Sequence, residues 1–370
     1  MAAQFTPRVG ALADRVFGPV DTALSLTMRF CGARETDRMK ALLSRVVGGP
    51  ETLTLEEVPD PLPGPGQVRL RVRACGVNYP DALFIRDLYQ VKWPRPFSPG
   101  SEVCGEVELL GEGVTEFAVG DRVVGRCGIG GMAQRVVIAA TSCIRLPAGA
   151  PVEVAAGFLL TYATVYHGLV DCAGLSAGET LLVLGAAGGV GSAAIDLGRA
   201  LGARVVAAAS TPEKAEFARK AGADATWVYP DDIPDSNAAK AVSAGFKALA
   251  GEQGANVVLD PVGGAYSEAA LRAIARDGRF LVVGFTAGIP RVPLNLTLLK
   301  ACRIIGVDLR MFGEEHPQRS AANAATLLQM LADGRLKPAV SEVFPLARAP
   351  EALERLTARG AMGKMVVTID

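Results

Sequence analysis

The pattern of apolar and polar positions changes character between Leu146 and Gly157. From Met39 to about Leu146, short alternating segments are separated by turn clusters such as Pro61-Leu62-Pro63-Gly64-Pro65-Gly66, Gly111-Glu112-Gly113 and Gly120-Asp121. A period of two broken by Gly and Pro predicts strands joined by tight turns, closing into a small, partly closed barrel. From about Gly157 to Cys302, continuous apolar runs alternate with helix-length stretches. The runs are Thr180–Leu184, Arg204–Ala209, Val257–Asp260 and Gly278–Gly284. Strands apolar on both faces and separated by helices predict a parallel sheet covered on both sides. The tail, from Arg303 to Asp370, carries one helix around Ala321–Asp333 and ends in an apolar strand, Lys364–Ile369, expected to return to the first domain. The fold class is therefore α/β, a barrel plus a doubly wound parallel sheet.

The most informative junction follows the run Thr180–Leu184. Gly185-Ala186-Ala187-Gly188-Gly189-Val190-Gly191 leads into a helix pattern, Ser192–Gly202, and a second strand, Arg204–Ala209, arrives at the distance a dinucleotide-binding unit requires. Glycines let the turn approach a pyrophosphate, and the helix N-terminus offers free N–H groups and a positive dipole end. Gly188, Gly189 and Val190 are expected to contact the pyrophosphate through backbone.

The end of the second strand bears on cofactor choice. An Asp or Glu at that place binds the ribose 2′-OH of NAD. Here it reads Ser210-Thr211, and Pro212-Glu213-Lys214 opens the next helix. A hydroxyl tolerates a 2′-phosphate that a carboxylate would repel. Lys214 is either a phosphate contact or a solvated helix lysine, and Tyr229 ends the next apolar segment, where it can flank the phosphate. The missing acid and the present base together favour NADPH over NADH.

Length and composition narrow the rest. The 370 residues suit two domains. The 38 basic and 38 acidic residues balance, so nucleic acid is not a favoured partner. No stretch is apolar and long enough to span a bilayer; Val154–Val170 contains Thr161, Thr164, His167 and glycines, and reads as a buried joint between domains. The seven cysteines are scattered with no C-x-x-C, the usage of a cytoplasmic protein with reduced thiols. Residues 1–38, with five arginines and no secretory apolar core, are either an appended arm or upstream sequence read from too early a start codon. They are assigned no chemistry.

Several landmarks carry a family resemblance: Cys75-Gly76-Val77-Asn78 followed by Asp81, Pro99-Gly100-Ser101-Glu102, Gly120-Asp121-Arg122-Val123, the glycine turn, Asp260-Pro261-Val262-Gly263-Gly264, and Gly363-Lys364. Together, from Met39 to the C-terminus, they resemble the medium-chain dehydrogenase/reductase superfamily and, within it, the zinc-free quinone oxidoreductases of zeta-crystallin type. The resemblance implies a GroES-like β-barrel catalytic domain, completed by the C-terminal strand, with a Rossmann domain inserted and the active site in the cleft between. On that pattern residues 39–160 form the catalytic domain, 161–303 the NADPH-binding domain, and 304–370 the return.

Departures from the zinc alcohol dehydrogenase branch matter equally. Its G-H-E motif reads Gly100-Ser101-Glu102 here, its first ligand position reads Asn78, and its four-cysteine zinc loop is absent. His167 and His316 are the two histidines, and neither has ligand spacing. No metal is expected. Cys75, beside a glycine and without a paired His, reads as a small buried filler. Without zinc, reduction of an already electrophilic acceptor is the accessible chemistry, with the protein holding the partners in line and stabilising a developing oxyanion.

The resemblance further implies site residues. Asn78 matches a cleft asparagine near the nicotinamide, either a hydrogen-bond donor or a turn-stabilising residue. Tyr89 matches a tyrosine lining the acceptor pocket, and Thr164 a threonine packed near the nicotinamide amide. Ser210, Lys214 and Tyr229 match a 2′-phosphate pocket. Phe285 and Thr286 are expected at the nicotinamide ribose, and Lys364 at the closure of the cofactor cleft. The leading expectation is an NADPH-dependent quinone reductase. A rival is reduction of activated C=C bonds in enones, haloacrylates or acryloyl-CoA, for which Arg86, Lys92 and Arg95 are either a basic patch at the cleft mouth or solvated loop charges. A reading of another class is a non-catalytic NADPH-binding sensor or structural protein. Assembly as a homodimer or homotetramer is expected, through a sheet edge around Leu281–Phe285 and the apolar stretch Val292–Leu299.

Overall fold

The computed structural model describes residues 37–370 except 234 and 359. The extension at residues 1–38 thus lies, but for its last two residues, outside the described part.

The chain opens with an antiparallel pair, β1 (Arg38–Ser44) and β2 (Leu53–Pro59). A seven-stranded sheet follows, built from β3 (Gln67–Gly76), β4 (Glu102–Leu110), β5 (Arg122–Arg126), β6 (Arg135–Ala139), β7 (Cys143–Arg145) and, from the tail, β14 (Val340–Pro345) and β15 (Lys364–Thr368). The long β3 pairs along its whole length with β4. On its other side it pairs first with β6 and then with β15. Inward residues such as Val68, Leu70, Val72, Val123, Met132 and Val367 form one core. The short helix α1 (Tyr79–Phe84) covers one end.

Two helices, α2 (Val152–Ala156) and α3 (Leu159–Tyr166), with a π-helical turn at His167–Cys172, lead out of this sheet. Leu159, Tyr162, Val165 and Leu169 are buried there in the core of the second unit, so Val154–Val170 is a joint, as its polar residues suggested.

The second unit is a six-stranded parallel sheet in the order β10-β9-β8-β11-β12-β13. Its strands are β8 (Thr180–Val183), β9 (Arg204–Ala209), β10 (Ala225–Val228), β11 (Ala255–Asp260), β12 (Ile274–Val282) and β13 (Arg303–Gly306). Numbered from β8, this is the 3-2-1-4-5-6 order of doubly wound dinucleotide-binding folds, with the reversal between β8 and β11. Alternate residues of β8 serve opposite faces. Leu181 and Val183 pack in one core with α4 (Gly189–Ala200). Leu182 and Leu184 pack in the other with α6 (Ser236–Ala250) and α7 (Gly264–Leu271). Helix α5 (Pro212–Lys220) follows β9, and α8 (Asn295–Lys300) precedes β13.

Two features differ from the sequence expectation. The segment Leu281–Phe285 is no sheet edge, because β12 pairs with β11 on one side and β13 on the other. The free edge is β13, whose short Arg-Ile-Ile-Gly run carries little apolar signal. Past residue 303 the chain also stays with the parallel sheet. After β13 come α9 (Leu309–Glu315) and α10 (Pro317–Ala332), whose Leu309, Phe312, Leu327 and Leu328 join the same core as Ile195 and Leu181. Re-entry into the first sheet occurs at β14. A last helix, α11 (Ala349–Thr357), precedes the closing strand.

Candidate active site

Ligands of open α/β sheets bind outside the C-terminal strand ends, at the point where strand order reverses. The glycine turn leaves β8 at that point. Gly185 turns with φ +57°, a conformation that strains residues with a Cβ. At Gly191 a Cβ would meet the Gly185 carbonyl oxygen at 2.3 Å, so only glycine lets α4 start this close to the strand. The N–H groups of the first helical turn have no intrahelical partner and open onto the strand ends. Gly189 faces that space, the place of a Cβ lying in ordinary contact at 3.5 Å from Thr161 Cγ2 and 3.7 Å from Lys364 Cδ. The turn is thus a cradle shaped for an anion, with a lysine at its wall.

Lys364 is the first residue of β15. The Gly363 amide donates to the Ala187 carbonyl at 2.7 Å, which ties the end of the chain to the glycine turn. The Lys364 ammonium is buried, donating to Asn78 Oδ1 at 2.5 Å and paired with Glu102 Oε1 at 2.8 Å. Asn78 Nδ2 donates to the same Glu102 oxygen at 3.0 Å and to the Gly76 carbonyl at 3.3 Å. Glu102 Oε2 accepts from the Leu160 amide at 2.8 Å. One cation, one amide and one carboxylate, each under 10% exposed, therefore join β3, β4, α3 and β15. Burying such charges is costly unless they are paired and hydrogen-bonded, and here they are.

Beneath them lies Asp81, fully buried. Its carboxylate accepts from the Asn78 amide at 2.8 Å and from the Ser101 hydroxyl. Burial pushes its pKa up to about 6, against the opposing pull of the Ser101 hydrogen bond, the Asn78 amide and the Lys364 charge. The Cys75 thiol is also fully buried. Burial foremost, and then the neighbouring Asp81, raise it well above the ordinary thiol range, so it is a space-filling group and no nucleophile.

The cofactor side is arranged around β9. Lys214 Nζ donates to Ser210 Oγ at 3.2 Å, while the Thr211 hydroxyl caps α5 by accepting from the Lys214 amide at 3.2 Å. The Tyr229 amide donates to the Ala209 carbonyl at 3.0 Å, which fixes its residue beside Ser210. Its ring is largely buried against Tyr266 and Phe246. Phe285 and Thr286 lie beyond β12, on a loop held against Val262–Gly264 by the Ala287 and Gly264 amides, each donating at 2.7 Å. That loop is fixed in turn by Asp260, which accepts from the Val262 and Gly263 amides at 2.8 and 2.9 Å and from the Ser267 hydroxyl at 2.5 Å.

On the acceptor side, Tyr89 packs edge-on against Phe84, ring centres 4.8 Å apart, with Trp93 beyond. Burial raises the Tyr89 pKa; Arg310 on α9 lowers it and Asp308 raises it, so the phenol faces α9. The Thr164 hydroxyl donates to the Leu160 carbonyl at 2.7 Å. Thr161, one turn earlier, has its methyl against the glycine turn. Of the three loop cations Arg86, Lys92 and Arg95, Arg95 is paired with Asp87 and Lys92 is exposed. The Arg86 guanidinium donates to the Ala82 carbonyl at 3.0 Å, and that of Arg95 to Asp87 and the Ile85 carbonyl at 2.9 Å.

The structure thus gathers Asn78, Lys364 and the glycine turn, and separately Ser210, Lys214 and Tyr229. Glu102, Asp81 and Thr161 touch these groups although motif reading did not single them out. Glu102 and Asp81 stood inside quoted landmarks, and their burial was the missing signal. Among the described residues no group of three or more His, Cys, Asp or Glu side chains could hold a metal. His167 is bonded to Asp171 at 3.0 Å and stacked on Phe312. No helix of the described residues is long and apolar enough to cross a membrane.

Known proteins resemble this chain over most of its length. Residues 64–148 match the alcohol dehydrogenase GroES-like domain, and residues 189–326 match the zinc-binding dehydrogenase domain. A quinone oxidoreductase-like protein 2 homolog from Nematostella vectensis is 35% identical over 364 residues, 96% of this chain and 97% of that one. This match covers more than residues 39–370 contain, so it reaches into the first 38. Human quinone oxidoreductase is 31% identical over 335 residues, 90% of this chain and 98% of its own. Among solved structures, a mycobacterial protein complexed with NADPH has a TM-score of 0.81 at 32% identity, covering 89% of this chain and 99% of that one. Escherichia coli quinone oxidoreductase complexed with NADPH has a TM-score of 0.80 at 28% identity, with the same coverage of 89% and 99%.

Proposed function

Because the chain belongs to the quinone oxidoreductase family of the medium-chain dehydrogenases/reductases, we propose that this oxidoreductase uses NADPH to reduce a quinone without zinc. The observation that carries the reading is the meeting of the glycine turn with the Lys364–Glu102–Asn78 cluster.

The residues fit the cofactor. The amides of Gly189 and Val190 suit the pyrophosphate, whereas that of Gly188 already donates to the Gly185 carbonyl at 3.0 Å and shapes the turn. Ser210 and Lys214, already hydrogen-bonded to each other, suit the 2′-phosphate, with Tyr229 alongside. Phe285 and Thr286 suit the nicotinamide ribose. Bound there, the nicotinamide supplies a hydride from its C4, two electrons in all. The chain does the rest. Thr161 and Thr164 on α3 bound the nicotinamide side of the cleft. Tyr89 and its aromatic neighbours hold the acceptor and keep water out. Lys364 has two of its three N–H groups committed, to Asn78 and Glu102. The third is available to the oxygen on which negative charge develops. Asn78 acts as the positioning residue, its amide spanning the cation and the carboxylate. Tyr89, kept protonated by burial, delivers the proton that completes the hydroquinone.

Zinc independence is supported by what occupies the corresponding positions. The Asn78 amide binds an ammonium, and the Ser101 hydroxyl donates to Asp81. Free thiols at all six described cysteines support a cytoplasmic setting. A homodimer through the β13 edge is supported by the exposed Leu294, Leu298 and Leu299 beside it.

The test is NADPH oxidation against para-benzoquinone, phenanthrenequinone, acryloyl-CoA and chloroacrylate, with and without chelator. Quinone turnover unaffected by chelator is expected. Turnover confined to the two alkenes, or abolished by chelation, would overturn the reading.

A further inference from the structure

Several of the charges around the cleft have partners of their own. Glu102 is neutralised by Lys364. Glu314 is paired with Arg310 at 2.9 Å. The Asp308 carboxylate caps α9, accepting from the Met311 amide at 3.0 Å. Another cation stands on β5. Arg126, the last residue of β5, stands directly across the ladder from Glu102, so both side chains leave the same face of the sheet. It is only partly exposed. Among the described residues its guanidinium has neither a hydrogen bond nor an ion pair; Glu102 attracts it from beyond ion-pair distance, and that carboxylate is already paired with Lys364. Its Nη2 reaches α9, where it lies 3.4 Å from the point a Cβ would occupy on Gly313. Gly313 is one turn from Arg310, the residue that faces Tyr89. The guanidinium therefore runs from the Glu102 side of the site to α9, in the space left by a residue without a side chain, on the helix whose Arg310 faces Tyr89.

An unpaired cation held out of bulk water is costly. A permanent cation is best answered by a permanent anion. A transient oxyanion would leave it unmatched in the resting complex, and Lys364 already stands beside the glycine turn to meet that need. The planar fork of arginine matches a carboxylate bidentately. Resting on the quinone-reductase reading, we infer that the acceptor carries a carboxylate, which Arg126 binds on the side of the pocket facing α9. Arg126 is thus a specificity-determining residue, and neutral quinones are the poorer substrates.

Two non-reducible probes test this without any difference in reduction potential: naphthoate and naphthamide. Their affinities for the full-length protein with saturating NADP⁺ are measured by titration calorimetry. Naphthoate should bind about 10- to 100-fold more tightly than naphthamide, the factor expected of a charge-assisted bidentate contact. In Arg126→Met the ratio should fall to about 1, and Arg126→Lys should keep part of it. NADPH affinity, read by fluorescence, checks that the variants fold. Equal binding of the two probes by the wild type would overturn the inference. So would equal probe binding with Arg126→Met impairing naphthoquinone turnover, which would make Arg126 an oxyanion contact. An Arg126→Met variant that loses NADPH affinity and leaves the probe ratio intact would also overturn it, as Arg126 would then be a counter-ion for Glu102. Naphthoquinone reduction by the wild type is scored separately. Its failure would strike the quinone reading, while the probe ratio would still decide whether the pocket selects a carboxylate.

Discussion

Replacing Lys364 by Met keeps most of the side chain's bulk and removes its charge. Glu102, 1% exposed, then keeps two donors, Asn78 Nδ2 at 3.0 Å and the Leu160 amide at 2.8 Å, and loses the cation it is paired with. Breaking a buried pair from one side costs about 3–5 kcal/mol. A ceiling applies, because the orphaned carboxylate escapes by taking up a proton. For an ordinary glutamate that costs about 4 kcal/mol at pH 7 and about 1 kcal/mol at pH 5. Lys364→Met should therefore destabilise by about 3–4 kcal/mol at neutral pH and by markedly less in mild acid. Glu102→Gln, which leaves the ammonium facing neutral acceptors, should cost a comparable amount. The double variant lacks both members of the pair and should cost no more than either single one, a coupling of at least about 2 kcal/mol. The assay is equilibrium urea unfolding by tryptophan fluorescence. Of the two tryptophans, Trp93 lies in the barrel unit and Trp227 in the parallel-sheet unit, so a Trp227→Phe background isolates the unit being perturbed. That isolation matters because a two-unit chain need not unfold in one step. Additivity within about 0.5 kcal/mol, or a penalty independent of pH, would refute the account of Lys364 and Glu102 as a buried pair.

Further outcomes follow from other parts of the molecule. Lys214→Ala should raise KM for NADPH by about 10- to 150-fold, the equivalent of a charge-assisted contact of about 1.5–3 kcal/mol, and hardly change KM for NADH; Ser210→Asp should shift preference toward NADH by repelling the phosphate. Equal weakening of both cofactors by Lys214→Ala would make it a surface charge. Asp81, whose pKa rises from 3.8 to about 6 on folding, binds its proton more tightly folded than unfolded. Its protonation therefore favours the fold at low pH, and that contribution is lost as pH rises through the window, by about 3 kcal/mol in all. Wild-type stability relative to Asp81→Asn should fall by that order between about pH 4 and about pH 7, and parallel profiles would contradict it. Leu298→Glu, at an 81% exposed position beside the β13 edge, should convert a dimer to a monomer in light scattering, and an unchanged mass would exclude that surface.

What the sequence disclosed and what it withheld divide along physical lines. The glycine turn was legible because its chemistry is local. A strand, a turn that only glycine fits and a helix start occupy consecutive residues, and the Ser210–Lys214 contact spans four. The strands of the parallel sheet were legible because burial on both faces leaves continuous apolar runs. The edge was misplaced because edge status is a property of neighbours, and β13 is a four-residue run with two arginine-flanked isoleucines. Thr161 was passed over for Thr164 because both lie on α3 one turn apart, and only the packing of α3 on the glycine turn separates them. Arg126 gave no signal at all. An arginine at a strand end is ordinary until the opposite strand, the Gly313 gap and the absence of a counter-ion are known together.

The least legible feature is also the one that makes the site. Asn78 and Lys364 are 286 positions apart, and no periodicity relates them. Their meeting is a consequence of topology. The parallel sheet is inserted between β7 and β14, so the chain must come back to β3 to finish the first sheet, and β15 does so antiparallel to the stretch ending at Gly76. That pairing sets Lys364 near Asn78, two residues past the strand. The Gly363–Ala187 hydrogen bond sets the same lysine against the glycine turn. One residue thereby senses both units: its ammonium is held by the barrel's carboxylate and amide, and its stem lines the cofactor cradle. A change in the relative position of the two units has to strain or release this buried ion pair. Cofactor affinity and the tightness of the cleft are therefore coupled through Lys364, and substitutions in the barrel at Asn78 or Glu102 should alter NADPH binding although neither residue lies in the parallel-sheet unit.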